Sequence, residues 1–142
     1  MVKTIQKYTP EMERLLIHPG EIDEQLDFQR LFGNTHPVEI EIGMGKGRFL
    51  LAESLCRPDT NFIGIEWSLK WLRVALYRLA KAPRPNCLLL CLNADMVVKL
   101  LIPPRSVTAY HVYFPDPWPK EKHQKRRLFN PRFIEKLAET LV

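Results

Sequence analysis

The most constraining feature of this sequence is a repeated alternation between short apolar runs and longer helical stretches, which begins at Pro37. Val38–Ile42 reads as a buried strand, and Gly43, Gly45 and Gly47 punctuate the loop behind it. Arg48–Cys56 has the look of a helix, stopped at Arg57-Pro58-Asp59. Phe62–Ile65 is a second apolar strand closed by Glu66. Ser68 is placed to cap a helix running to about Lys81. Pro83 and Pro85 break the chain before a third strand, Cys87–Leu92. A short helix, Asp95–Leu101, ends at Pro103-Pro104. A fourth strand is expected over Val107–Phe114, and Asn130 or Pro131 opens a last helix to the chain end. Apolar strands separated by helices mean a parallel sheet covered on both faces.

The expected architecture is therefore α/β, a Rossmann-like three-layer fold with right-handed crossovers. Residues 1–36 are mixed and polar and form an N-terminal extension, with short helices at Glu11–Leu16 and Ile22–Phe32 around the Pro19-Gly20 turn. They are expected to pack on the domain formed by residues 37–142. In the last helix, Phe133, Ile134, Leu137 and Leu141 recur at helical spacing and should anchor it to the sheet. That helix is not expected to pair with the outer edge of the fourth strand.

Composition excludes several classes. The 142 residues carry a formal net charge of +5, with 46% hydrophobic residues, which describes a folded domain with a mild basic excess. Cys56, Cys87 and Cys91 form no CxxC pair, so free or buried thiols in a reducing compartment are expected and a zinc site is not. No apolar run approaches the ~18 residues of a membrane span, and no secretory signal opens the chain. The reading is a cytoplasmic protein without membrane or metal partners, its oligomeric state open between monomer and homodimer.

In open parallel sheets, ligands bind past the carboxyl ends of the strands. The segment there is Glu41-Ile42-Gly43-Met44-Gly45-Lys46-Gly47. Three readings compete. A dinucleotide fingerprint needs G-x-G-x-x-G, and here the third glycine comes one residue early. A phosphate-binding P-loop needs Ser or Thr after Gly-Lys, and Gly47 stands there instead. The third is a methyltransferase loop, an acid followed by glycines, that packs on the amino-acid part of S-adenosylmethionine. Glu41 suits a ligand carrying an ammonium and a sulfonium and would repel a pyrophosphate. Glu66 ends the second strand, where such folds place a carboxylate for ribose hydroxyls. Trp67 is placed either near an adenine or in the core. Asn93, straight off the third strand, is the candidate for the adenine amino group, and Asp95 is the candidate cap of the following helix.

The segment Phe114-Pro115-Asp116-Pro117-Trp118-Pro119 follows the fourth strand, and its three prolines fix three φ angles around Asp116. Asp116 is thereby held at a strand end that faces the candidate cofactor site. Five of the eight residues from Lys120 to Arg127 are Lys or Arg. Beside a candidate active site such a run suits phosphate contacts, and Trp118 suits stacking on a base.

The segment FPDPWPKEKHQKRRL resembles the signature of the bacterial tRNA (guanine-N7-)-methyltransferases, and VEIEIGMGKGRFL, NFIGIEW and LNAD resemble further segments of that family in the same order. The resemblance covers roughly residues 37–142. It implies a Rossmann-like methyltransferase fold, S-adenosyl-L-methionine as methyl donor, and transfer to N7 of a guanine in the tRNA variable loop. By the same resemblance Glu41, Gly43, Gly45, Glu66, Asn93 and Asp116 correspond to cofactor positions, with Asp116 also the catalytic residue. Lys120 corresponds to a substrate contact, and Lys122, His123, Gln124, Lys125, Arg126 and Arg127 to an RNA-contacting stretch. The family often has Asp where this chain has Asn93, and it continues with further strands past the position of Val142. Two alternatives stay open: methylation of an exocyclic base amine, since Asp116-Pro117-Trp118 is close to the loop of those enzymes, or a catalytically silent RNA- or cofactor-binding module.

Overall fold

The structure, a computed structural model, describes residues 7–113 and 128–142. Four parallel strands form one sheet in the order β3-β2-β1-β4: β1 Val38–Ile42, β2 Asn61–Ile65, β3 Cys87–Leu90 and β4 Ala109–Val112. Helices α3 (Arg48–Cys56) and α4 (Leu69–Ala80) cover one face. The other face is covered by α5 (Ala94–Met96), which continues as a π-helical turn over Val97–Leu101, and by α6 (Pro131–Thr140). The expected three-layer α/β fold is what forms.

Strand alternation explains the two cores. Val38, Ile40, Ile42, Ile63, Ile65 and Leu90 point to the α5–α6 side, where they meet Val97, Val98, Ile102 and Phe133. Phe62, Cys87 and Leu89 point to the other side and pack on Leu50, Leu72, Ala75, Leu76 and Leu79. Gly64 lies on that second face because nothing larger fits: a Cβ there would collide with Leu50, Met44 and Leu89. The thiol of Cys87 is buried in this layer and pushed up to about 12, so it is an inert core group.

β1 also carries two glutamates on the α3–α4 side, both buried. Glu39 is satisfied by two distant groups. Arg57, at the end of α3, grips it bidentately at 2.8 and 2.9 Å, and His111 Nε2 on β4 lies 2.7 Å from its Oε2. The Arg57 guanidinium, opposed in part by burial and aided by His111, holds the Glu39 carboxyl below its usual range. This network ties the last turn of α3 and the edge strand β4 to the central strand. Arg57→Ala would strand a buried carboxylate with His111 alone. The expected loss is about 2–4 kcal/mol, below the full value for a buried pair because Arg57 is partly solvated, to be read as a drop in urea midpoint with unchanged slope.

The N-terminal arm packs as expected but with different elements. α1 spans Pro10–Leu15, a 3₁₀ turn spans Pro19–Glu21, and only Phe28–Phe32 of the second stretch is helical, as α2. Leu16 bridges Leu89, and Ile17 N–H donates to Leu89 O at 2.8 Å, so the arm closes the outer edge of β3. Leu15, Ile17 and Leu26 are buried in the two cores.

Three expectations are corrected at the other end. β4 is shorter than Val107–Phe114 among the described residues, because Val107 leaves the β1 ladder and bridges Leu141 instead. The end of α6 and the residues after it do pair with the start of that expected strand: Val142 N–H donates to Val107 O at 3.0 Å, and Thr140 O accepts from Ser106 and Val107 N–H, just before β4. Of the four apolar residues of the last helix, Phe133 is buried, Leu137 and Leu141 are half-buried, and Ile134 faces solvent.

Candidate cofactor site at the carboxyl ends of the strands

The loop after β1 is built by its glycines. Gly43, Gly45 and Gly47 all have positive φ, 68°, 53° and 73°. At Gly47, which opens α3, a Cβ would also stand 3.0 Å from that of Ala75, so a side chain would push α3 off α4. At Gly45 a Cβ would meet nothing within 4 Å. That glycine serves the backbone turn and leaves the space before it open. Gly43 and Met44 N–H both donate to Ile65 O, at 2.8 and 3.2 Å, which folds the loop over the end of β2.

Glu66 is not a solvated strand end. Its Oε2 accepts from Gly45 N–H at 2.8 Å and its Oε1 from Ser68 N–H at 3.0 Å. One carboxylate thus joins the glycine loop to the start of α4, whose cap is Ser68, accepting from Trp71 N–H. Each oxygen still has a free lone-pair direction, so the group is oriented and able to accept further hydrogen bonds.

Glu41 is 4% exposed, and its Oε2 is buried without a hydrogen-bond partner. Its neighbours in register are Gly64 and His111. Burial, then the negative charge of Glu66, pushes its carboxyl up to about 8. A proton is therefore held in the folded state between about pH 4.5 and 8 that the unfolded chain releases. The stability linked to Glu41 is complete below the unfolded value and is lost as pH rises through about 8. Glu41→Gln cannot ionise, so its melting temperature should fall less between pH 5 and 8.5 than that of the parent, a difference of about 1–3 kcal/mol at the alkaline end. Thermal melts across that range check it.

Asn93 follows β3 at the same edge and is exposed. The capping role expected of Asp95 falls to Asn93, whose Oδ1 accepts from Met96 N–H at 3.2 Å, while Asp95 sits inside the first turn and pairs with Lys99 at 2.9 Å. Trp67 is 70% exposed beside Glu66, not in the core. β4 runs parallel to β1 with Val112 opposite Ile42, so the chain leaves β4 alongside the glycine loop. Asp116, Lys120, Lys122, His123, Gln124, Lys125, Arg126 and Arg127 lie outside the described residues.

One feature of this edge was missed by sequence reasoning. Phe49 of α3 contacts His111, with ring centroids 4.5 Å apart, and Tyr113, 5.2 Å apart. The three rings pin the end of β4 to the first turn of α3. The polar His111 inside an otherwise apolar run was the signal that pointed to it. Among the described residues no three His, Cys, Asp or Glu side chains are grouped to hold a metal ion, and no helix is long and apolar enough to cross a membrane. A cavity of about 850 Å³ lies between the N-terminal arm and Pro103–Ser106, lined in part by Ile22, Asp23, Leu26, Asp27 and Phe28. It shares no residue with the glycine loop, and its acidic rim is the wrong sign for a nucleic acid.

The chain is thus an open parallel α/β domain with a glycine loop after its inner strand β1 and a fixed carboxylate after the neighbouring β2, the place where such sheets carry their sites. The family model described as “Putative methyltransferase” matches residues 35–142, and the chain belongs to that family. It is 36% identical to the tRNA (guanine-N(7)-)-methyltransferase of Histophilus somni strain 2336 over 116 residues, 82% of this chain and 46% of that protein. To the enzyme of that name from Enterococcus faecalis it is 41% identical over 107 residues, 75% of this chain and 50% of that one. The chain spans about half the length of the curated relatives it matches. Haemonchus contortus phosphoethanolamine N-methyltransferase 2, solved in complex with S-adenosyl-L-methionine, shares the fold with a TM-score of 0.55 at 19% identity, covering 80% of this chain and 24% of that one.

Proposed function

We propose that the protein transfers a methyl group from S-adenosyl-L-methionine to N7 of a guanine in the variable loop of tRNA, forming 7-methylguanosine, in the cytoplasm. The domain responsible is residues 37–142, with residues 1–36 as an extension packed on it. The observation that carries the reading is the pair of carboxylates at the strand ends. Glu66 is oriented by Gly45 and Ser68 with acceptor capacity to spare, and Glu41 is a buried, unpartnered carboxyl at the root of an open glycine loop. A nucleoside with two ribose hydroxyls and a cationic amino-acid tail satisfies both. The names of the Histophilus and Enterococcus relatives support tRNA guanine as acceptor.

In this reading Gly43 and Gly45 give the cofactor's amino-acid part close backbone approach, Glu41 balances its positive charge, Glu66 accepts the ribose hydroxyls, and Asn93 offers its free amide edge to the adenine. The cofactor supplies an electrophilic methyl group on a sulfonium. Guanine N7 has an in-plane lone pair and needs no base to attack, so the protein's work is alignment. Asp116 orients guanine by accepting from N1–H and the 2-amino group and offsets the positive charge that develops on the base. Lys120, Lys122, His123, Gln124, Lys125, Arg126 and Arg127 hold tRNA phosphates.

The test is product identity. The 142-residue chain is incubated with methyl-labelled cofactor and a tRNA transcript, and the digested nucleosides are resolved by mass. Label in 7-methylguanosine is expected. Label in N6-methyladenosine would assign the exocyclic-amine alternative, and cofactor binding without any labelled nucleoside would make this chain a binding module.

A further inference from the structure

Helix α4 buries Leu72, Ala75, Leu76 and Leu79, and its opposite face has a composition that solvent alone does not explain. From Trp67 to Ala94 the chain contains no Asp or Glu but five cations, Lys70, Arg73, Arg78, Lys81 and Arg84. Lys70, Arg73, Tyr77 and Lys81 are exposed. Steps of three, four and four residues put them in one row along the outer face, a row about 16 Å long at ~1.5 Å per residue. Aromatic rings interleave with the charges. Tyr77 is 58% exposed with Lys81 Nζ 4.3 Å from its ring centre. The Trp71 ring is flanked by Lys70 Nζ at 4.9 Å and by Lys46 Nζ of the glycine loop at 5.5 Å.

An ordinary solvated helix face carries both signs, paired along the helix, as Asp95–Lys99 on the α5 segment and Lys136–Glu139 on α6 do here. On α4, among the described residues, Lys70, Arg73, Arg78 and Lys81 have no carboxylate within ion-pair distance. Four uncompensated cations on one helix repel one another unless a polyanion lies across them. Cations spaced for phosphates together with an exposed ring are the surface chemistry of single-stranded or looped RNA recognition.

We propose that the outer face of α4, continued by Lys46, is a second RNA-docking ridge: phosphates lie on Lys70, Arg73 and Lys81, and an unpaired base stacks on Tyr77. The ridge begins at the glycine loop, so RNA seated on it passes the mouth of the candidate site. The inference deepens the proposed function, since it takes RNA as the partner. It does not use the Lys120–Arg127 stretch.

The experiment measures binding of a fluorescent tRNA transcript to the 142-residue chain by anisotropy between 50 and 200 mM salt. The triple variant K70Q/R73Q/K81Q should bind at least about tenfold more weakly at 100 mM, with the slope of log affinity against log salt reduced by about 2–3. Y77A should weaken binding about fivefold or more with the slope unchanged. R30Q/R105Q/R132Q removes the same charge away from α4 and should stay within about twofold of the parent. Unaltered S-adenosylhomocysteine binding by calorimetry shows that the variants are folded. Wild-type binding in the ridge variant, or equal losses in ridge and control variants, overturns the proposal. So does a loss confined to vesicles of phosphatidylcholine and phosphatidylserine with tRNA binding intact, which would make the ridge a membrane surface. A parent chain that binds the cofactor product but no tRNA also removes the ridge. A parent that binds tRNA through the ridge yet makes no 7-methylguanosine leaves the ridge standing and the proposed function overturned.

Discussion

Asp116→Ala is expected to slow methyl transfer to tRNA by about 10²–10³-fold, the range for removing one positioned electrostatic group from an active site. S-adenosylhomocysteine affinity should stay within about tenfold. The reasoning begins at β4. Its last paired residue, Val112, lies opposite Ile42, and the Phe49–His111–Tyr113 rings fix the strand end to α3. Tyr113, the last described residue before the Pro115-Asp116-Pro117 segment of the sequence, is therefore held against the first turn of α3. Prolines on both sides of Asp116 limit its backbone further, so little ordering entropy is lost when guanine binds. Asp116→Asn keeps the size and the acceptor oxygen but loses the charge. If charge compensation is the larger role, Asn should be nearly as slow as Ala; if orientation is, Asn should recover most of the rate. Near-normal turnover in Asp116→Ala would remove the residue from the mechanism. Single-turnover rates with saturating tRNA check all three outcomes.

Glu66→Ala has the second largest expected effect, a weakening of S-adenosylhomocysteine binding by about 10–100-fold, or about 1.5–3 kcal/mol for hydrogen bonds to a charged acceptor. Part of the loss comes from the protein itself. Without the carboxylate, Gly45 N–H and Ser68 N–H lose their acceptor, and the glycine loop is no longer tied to α4. Glu66→Gln separates the contributions, because its amide oxygen still accepts from one of the two N–H groups but the charge is gone. A small loss in Gln beside a large one in Ala would point to loop anchoring; equal losses would point to the ribose contact. Unchanged affinity in both would sink the assignment.

The fold was legible because its signal is local. Val38–Ile42, Phe62–Ile65 and Cys87–Leu92 read as buried strands from their own composition, although β3 ends two residues earlier, at Leu90, and Ser68 announced α4. Errors fell where two distant segments decide the outcome. Asn93 and Asp95 are both good caps two positions apart, and the backbone stays extended at Asn93 and turns helical at Ala94, which makes Asn93 the cap. Val107 looked like part of β4, yet it pairs with Leu141, which is 34 positions later and invisible to any periodicity. That a glycine loop follows β1 and that Glu66 ends the second strand are legible in the sequence. The pairing of Glu66 with Gly45, 21 positions away, is not. Glu39 was passed over beside Glu41 because its partner His111 stands 72 positions along the chain. Two glutamates at the same alternation phase of one strand have opposite fates: one is paired by Arg57 and His111, and the other is left buried with an oxygen that has no hydrogen-bond partner.

Calorimetric titration of the 142-residue chain with S-adenosylhomocysteine tests the site most directly. The product keeps the ribose, the adenine and the ammonium. One molecule per chain should bind, and at pH 7 binding should release a proton from Glu41, whose carboxyl stands at about 8 before the cation arrives. The release is read as a heat that changes with the ionisation enthalpy of the buffer and disappears in Glu41→Gln. No binding heat in any buffer, or binding undisturbed by Glu41→Gln and Glu66→Ala together, would contradict the assignment of this strand edge as the cofactor site.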